Sequence, residues 1–191
     1  SLMTVASTID PMRAANRIAG KTIFNWKIVS PRGLAIDLTC GLSLPVNGRF
    51  SDNDRGDLLI IIGGFDAINT ALPVTPIRLK RILINFTKVV SVEGGTWLLA
   101  KTGALDGMKA TTHWEDLENF SDEFSNIDVV ADRFVVESKY VTVGGASPAF
   151  DFLLTLIEEK FAAALAFDVS SVFIYSSRSH SADPQPFVSF G

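Results

Sequence analysis

One cysteine and two histidines in 191 residues remove whole classes of chemistry before any motif is considered. A lone thiol, Cys40, cannot close an internal disulfide. With only His113 and His180 beside it, neither a multi-cysteine nor a multi-histidine zinc site can be assembled. Apolar runs stay well short of the roughly 20 residues a bilayer-spanning helix needs, so no membrane partner is expected. Positive charge is also in short supply: 17 Lys and Arg stand against 21 Asp and Glu, a net charge of −4. The basic residues are scattered rather than clustered, which argues against this segment gripping a phosphate backbone itself. The first residues lack the basic stretch and cleavage site of a secretory signal, and single-cysteine usage suits a reducing compartment, so a cytoplasmic location is expected.

What is present is ordinary globular chemistry, 47% apolar and 20% charged, in a length that suits one domain. Residues 4 to 19 carry Val5, Ile9, Met12, Ala15 and Ile18 at helical spacing before Gly20, with Pro11 as an irregularity inside the helix. Residues 21 to 30 (KTIFNWKIVS) alternate like a strand and end in Pro31, Arg32 and Gly33, and residues 34 to 40 form a second extended segment. DLLIIIGG, residues 57 to 64, is a continuous β-branched run closed by two glycines, as expected of a strand buried on both faces. Helical patterns over 75–86, 95–101, 113–124, 147–159 and 161–175 alternate with extended segments at 89–92, 109–112, 127–130, 133–137 and 140–143. Such alternation predicts an α/β sandwich around a mostly parallel sheet. Ligands of such sheets sit beyond the carboxyl ends of the strands, at the Gly63/Gly64, Glu93 to Gly95 and Gly144/Gly145 loops. Residues 177 to 191, rich in Ser and Pro, read as a linker or tail following a domain over 1–176.

The segment VVSVEGGTWLLAKTG, residues 89 to 103, runs from buried strand through Glu93 and a glycine pair into a helix. That is the geometry of a nucleophile elbow, which displays one side chain over the sheet edge. Enzymes place Ser or Cys there because either can be deprotonated to attack a carbonyl. A carboxylate at the corner has three readings: a covalent nucleophile toward an activated substrate, an acceptor for the free amides of its own helix start, or a counter-charge for a cationic ligand. The other polar cluster is TTHWED, residues 111 to 116. His113 is expected to line a pocket before acting as a base, and Thr112 with Glu115 matches a capping box. Trp97 and Trp114 are core aromatics by default, although both flank the pocket loops, and an aromatic face beside a carboxylate suits a quaternary ammonium. Cys40 reads as an inert buried thiol. The expected pocket comprises Gly63, Gly64, Phe65, Glu93, Gly94, Thr112, His113, Trp114, Gly144 and Gly145, with no catalytic residue, metal or cofactor.

STIDPMRAANRIAG, FNWKIVSPRG, DLLIIIGG, GTWLLAKTGALDGMKATTHWEDL and VTVGGASPAFDFLLTLIEE resemble, in order and spacing, the N-terminal domain of AraC-family transcriptional regulators. That domain is ThiJ/PfpI-like and related to class I glutamine amidotransferases; within the group the chain is most similar to regulators of choline, betaine, carnitine and arginine catabolism. The resemblance implies a flavodoxin-like three-layer sandwich that senses a small, nitrogenous effector and forms a homodimer. DNA would be read only by a C-terminal helix-turn-helix domain absent from this chain. It also marks departures. The elbow that carries cysteine in the family's enzymes carries Glu93 here, and the glutamate that their first helix places against it aligns with Thr4. The family's first central strand would precede Ser1. A hydrolase or hydratase of the ThiJ/PfpI type is the alternative implied.

Overall fold

The computed structural model describes residues 1–64, 67, 75–175 and 179–185. Helix α1 (Leu2–Ala19) is continuous through Pro11, capped by Ser1 at its start and by left-handed Gly20 at its end. Four two-residue strands follow, β1 (Val29–Ser30), β2 (Ile36–Asp37), β3 (Ser43–Leu44) and β4 (Gly48–Arg49); β1 pairs with β4 and β2 with β3. The strand expected over 21–30 thus survives only at its last two residues. The Asn16 side chain accounts for this: its amide donates to Phe24 O, and its carbonyl accepts from Ile23 and Phe24 N–H. Those backbone groups are satisfied by a side chain rather than by a ladder. Cys40, expected to be buried, is instead exposed, in the turn that joins the two-residue strands β2 and β3.

The main sheet is built from β5 (Gly56–Gly63), β6 (Phe86–Glu93), β9 (Phe134–Glu137) and β10 (Tyr140–Val143), in the order β5-β6-β10-β9. β5, β6 and β10 run parallel and β9 is antiparallel, which bears out the mostly parallel three-layer sandwich. Among the described residues β5 is an edge strand, and its apolar side chains from Leu58 to Ile62 are half-buried rather than buried on both faces as expected. β6 and β10 occupy the interior, with Val89, Val90, Val92, Val141 and Val143 fully buried.

Period-two alternation sends these valines to opposite faces. Val90, Val92, Val141 and Val143 pack with Met12 of α1 and with Phe152, Leu153 and Leu156 of α5 (Ala146–Lys160). α6 (Ala163–Val172) covers α1 and α5 through Ala166 and Val169. On the other face Val89 packs with Leu79, Ile82 and Leu83 of α2 (Pro76–Leu83), Leu99 of α3 (Gly95–Ala100) and Phe120 of α4 (Leu117–Glu123). Pro76 at the first position of α2, with Thr75 as cap, starts that helix, which ends at Leu83 rather than at residue 86 because Phe86 is buried in the sheet. Short β7 (Lys109–Ala110) and β8 (Asp128–Val129) pair beside this layer.

Candidate functional site

The site begins with the sheet's parallel register. Gly63 at the end of β5 lies opposite Glu93 at the end of β6, and Gly94 N–H donates to Gly63 O at 3.1 Å. The two loops touch so closely that a Cβ on Gly94 would collide with Gly64 O, and one on Gly95 with Ile61 O. Gly63, Gly94 and Gly95 therefore serve backbone packing, which brings the corner down onto β5.

Glu93 itself sits at φ 52, in the left-handed region. A non-glycine residue there costs on the order of 1–2 kcal/mol, and such strain persists where surrounding contacts over-determine it. Two contacts do so. Thr112 Oγ1 donates to Glu93 O at 3.2 Å, and Thr4 Oγ1 donates to Glu93 Oε1 at 2.8 Å from the first turn of α1. Ser1 Oγ lies 2.8 Å from Thr4 Oγ1 and also accepts from Thr4 N–H. Since the Thr4 proton goes to the carboxylate, the Ser1 hydroxyl supplies the proton between them. Glu93 does not cap its own helix: Gly94 is the cap of α3, without a side-chain bond. The position aligned with the enzymes' glutamate, Thr4, does face the corner.

Glu93, Gly94 and His113 line a cavity of about 210 Å³ together with Ser1 and Asp116. His113 caps the 3-10 turn Trp114–Asp116, its Nδ1 accepting Glu115 N–H at 3.4 Å. The expected capping box from Thr112 is not formed, because that hydroxyl is used on Glu93 O. Burial pushes the Asp116 carboxyl above the ordinary carboxylate range; His113 opposes this and Glu115 adds to it. Asp116 and Glu93 are thus two carboxyl groups on one cavity, and neither Asp116 nor Ser1 was among the expected pocket residues.

Other expected residues are placed differently. Gly63 is buried beneath the Gly94 corner and Gly64 is exposed, while Phe65 lies outside the described residues. Thr112 is fully buried behind Glu93 rather than on the cavity wall. Trp114 is half-buried with its ring 5.7 Å from that of His113. Trp97 packs edge-on against Phe120 at 5.2 Å and Phe124 at 5.6 Å, so it belongs to the core. Gly145 lies near the His113 ring, and Gly144 is covered by the Gln185 side chain.

Comparisons with known proteins agree with this architecture. The transcriptional regulator CdhR of Pseudomonas aeruginosa is 28% identical over 91% of this chain and 52% of its own length. Isonitrile hydratase of Pseudomonas putida is 28% identical over 70% of this chain and 57% of its own length. The chain therefore spans about half the length of the curated relatives it matches. Among solved structures, an AraC family transcriptional regulator from Pseudomonas putida superposes with a TM-score of 0.77 at 20% identity, covering 91% of this chain and 93% of that one. The DJ-1/PfpI family model matches residues 5–159, from the first turn of α1 to the last turn of α5, and includes the strained corner at Glu93. On that match the chain belongs to the DJ-1/PfpI family.

Proposed function

We propose that this domain is the non-catalytic sensing and dimerising part of an AraC-type transcriptional regulator, whose effector is a small, cationic nitrogenous metabolite. The observation that carries the reading is the corner itself. The side chain held over the cavity is a carboxylate anchored by Thr4, with Asp116 as a second carboxyl group on the same wall. The corner offers neither the hydroxyl nor the thiol of acyl-transfer nucleophiles but a carboxylate, a weaker nucleophile that needs an activated substrate. Two carboxyl groups in a small cavity instead favour a positively charged guest. The cavity, about 210 Å³, is smaller than the roughly 300–1,000 Å³ of drug-sized sites, which favours a small metabolite as guest. Regulators similar to this chain supply the functional context, and DNA contact would fall to a separate helix-turn-helix domain in a cytoplasmic protein.

Calorimetric titration with glycine betaine, carnitine, choline and arginine tests the reading. One of these is expected to bind the wild-type protein and to lose about 2–5 kcal/mol with Glu93→Gln, the cost of removing one partner of a desolvated charge contact. Equal binding by both proteins would eliminate a direct charge role. Turnover of an amide, isonitrile or glyoxal substrate that disappears in Glu93→Ala would establish the enzyme alternative instead.

A further inference from the structure

Residues 179 to 185 lie against the back of the site, held by backbone hydrogen bonds to residues 131, 133 and 134 and by the segment's one buried side chain, Gln185. We infer that this segment is an intramolecular strap, locked by Gln185 and coupled through Thr112 to the Glu93 corner. The inference goes beyond the sensing reading and does not depend on which effector binds.

Gln185 is 6% exposed, whereas residues 179 to 184 are half-buried or exposed. The two protons on its Nε2 are shared among three acceptors, Thr111 Oγ1 at 2.9 Å, Thr112 O at 2.9 Å and Asp132 O at 3.0 Å. Three acceptor oxygens around one amide nitrogen define which way the carboxamide faces. The amide fits because it lies on Gly144, where any Cβ would collide with it. Backbone bonds extend the attachment: Gln185 N–H donates to Ala131 O, and Arg133 N–H is shared between Ser181 O and Asp183 O. Asp132 and Pro184 form an isolated bridge.

The coupling runs through one residue. Thr112 accepts from Gln185 with its carbonyl and donates to Glu93 O with its hydroxyl, so the two features share a fully buried threonine. A shift of the corner moves Thr112 and with it one of the three oxygens around the Gln185 amide. Segments with few buried apolar contacts open at low free energy, and residues 179 to 185, whose one buried side chain is the polar Gln185 and whose other ties are backbone bonds, are of this kind. Its release is a means by which a change at Glu93 reaches the chain beyond the domain.

Spin-label mobility on the full chain tests both parts. Cys40→Ser removes the exposed native thiol, and Ala182→Cys carries a nitroxide on the strap. In the otherwise wild-type chain the label is expected to be immobilised. Gln185→Glu removes both amide protons and sets a carboxylate among three acceptors, and Gln185→Ala removes the amide altogether. Either is expected to convert the spectrum to a mobile one with unchanged far-ultraviolet circular dichroism. An immobilised label in both variants would overturn the lock. Thr112→Val, with Thr112→Ala as the alternative should valine prevent folding, removes only the link to Glu93 and is expected to raise a mobile component. Thr112→Ser, which keeps the hydroxyl, is expected to restore the immobilised one. Mobility unchanged in the hydroxyl-deleted variants would overturn the coupling while leaving the cation reading untouched.

Discussion

Glu93 and Asp116 share a cavity but carry opposite costs. Glu93 spends backbone strain at φ 52, offset by the Thr4 and Thr112 bonds, to hold its carboxylate in place. Asp116 loses solvation: burial raises its pKa above the ordinary carboxylate range, so the native state binds a proton more tightly than the unfolded chain. Where the native state holds more protons, stability falls as pH rises. The Asp116 contribution therefore declines as pH climbs from about 3.8 through the raised value, and the penalty is complete above it. Asp116→Asn is expected to abolish this dependence. In thermal melts the melting-temperature difference, variant minus wild type, should be more positive at pH 7 than at pH 4. The same variant is expected to weaken cation binding, so a gain in stability and a loss of affinity arise from one substitution. An identical difference at both pH values would show that Asp116 titrates alike in folded and unfolded states.

At the scale of elements, the decisive contact is the approach of the β6–α3 corner to the end of β5. A Cβ on Gly95 would meet Ile61 O and lie within 3.3 Å of Gly63 N, both of them backbone atoms that cannot rotate away. Gly95→Ala is thus expected to cost about 2–3 kcal/mol, in the range of overpacking, despite alanine's better helix propensity. Chemical denaturation would read this as a lower midpoint at constant slope; a variant as stable as wild type would mean that the corner floats free of β5. The corner was legible because a β-branched run, two glycines and a helical pattern are contiguous. Its supports were not. Thr4 is 89 residues from Glu93, and Gln185 is 74 from Thr111, separations at which local pattern says nothing about contact. The resemblance alone pointed from Thr4 to the corner. Trp97 was ambiguous for a related reason, since its place on a pocket-flanking helix left open which face the indole would take, and packing against Phe120 and Phe124 decided for the core.

For the whole molecule, the regulator reading requires pairing. Dimeric helix-turn-helix regulators occupy half-sites in twos, and closed two-fold dimers match them. Sedimentation velocity at micromolar concentration is expected to give twice the 20.7 kDa chain mass, and a monomer would remove dimerisation from the proposal.

By itself the amino-acid sequence determined the α/β class, most of the main helices and strands, and the corner with Glu93 at its tip. Each rests on periodicity or adjacency within about fifteen residues, where side-chain spacing dictates which face is apolar. The tertiary structure alone decided that β5 stands at the edge of the sheet among the described residues and that residues 23 and 24 are held by Asn16 rather than by a ladder. It also decided that Asp116 joins Glu93 and that Gln185 closes over Gly144. These depend on which surfaces meet after the layers pack, and on which buried polar group finds its partner there, information that spacing along the chain does not carry.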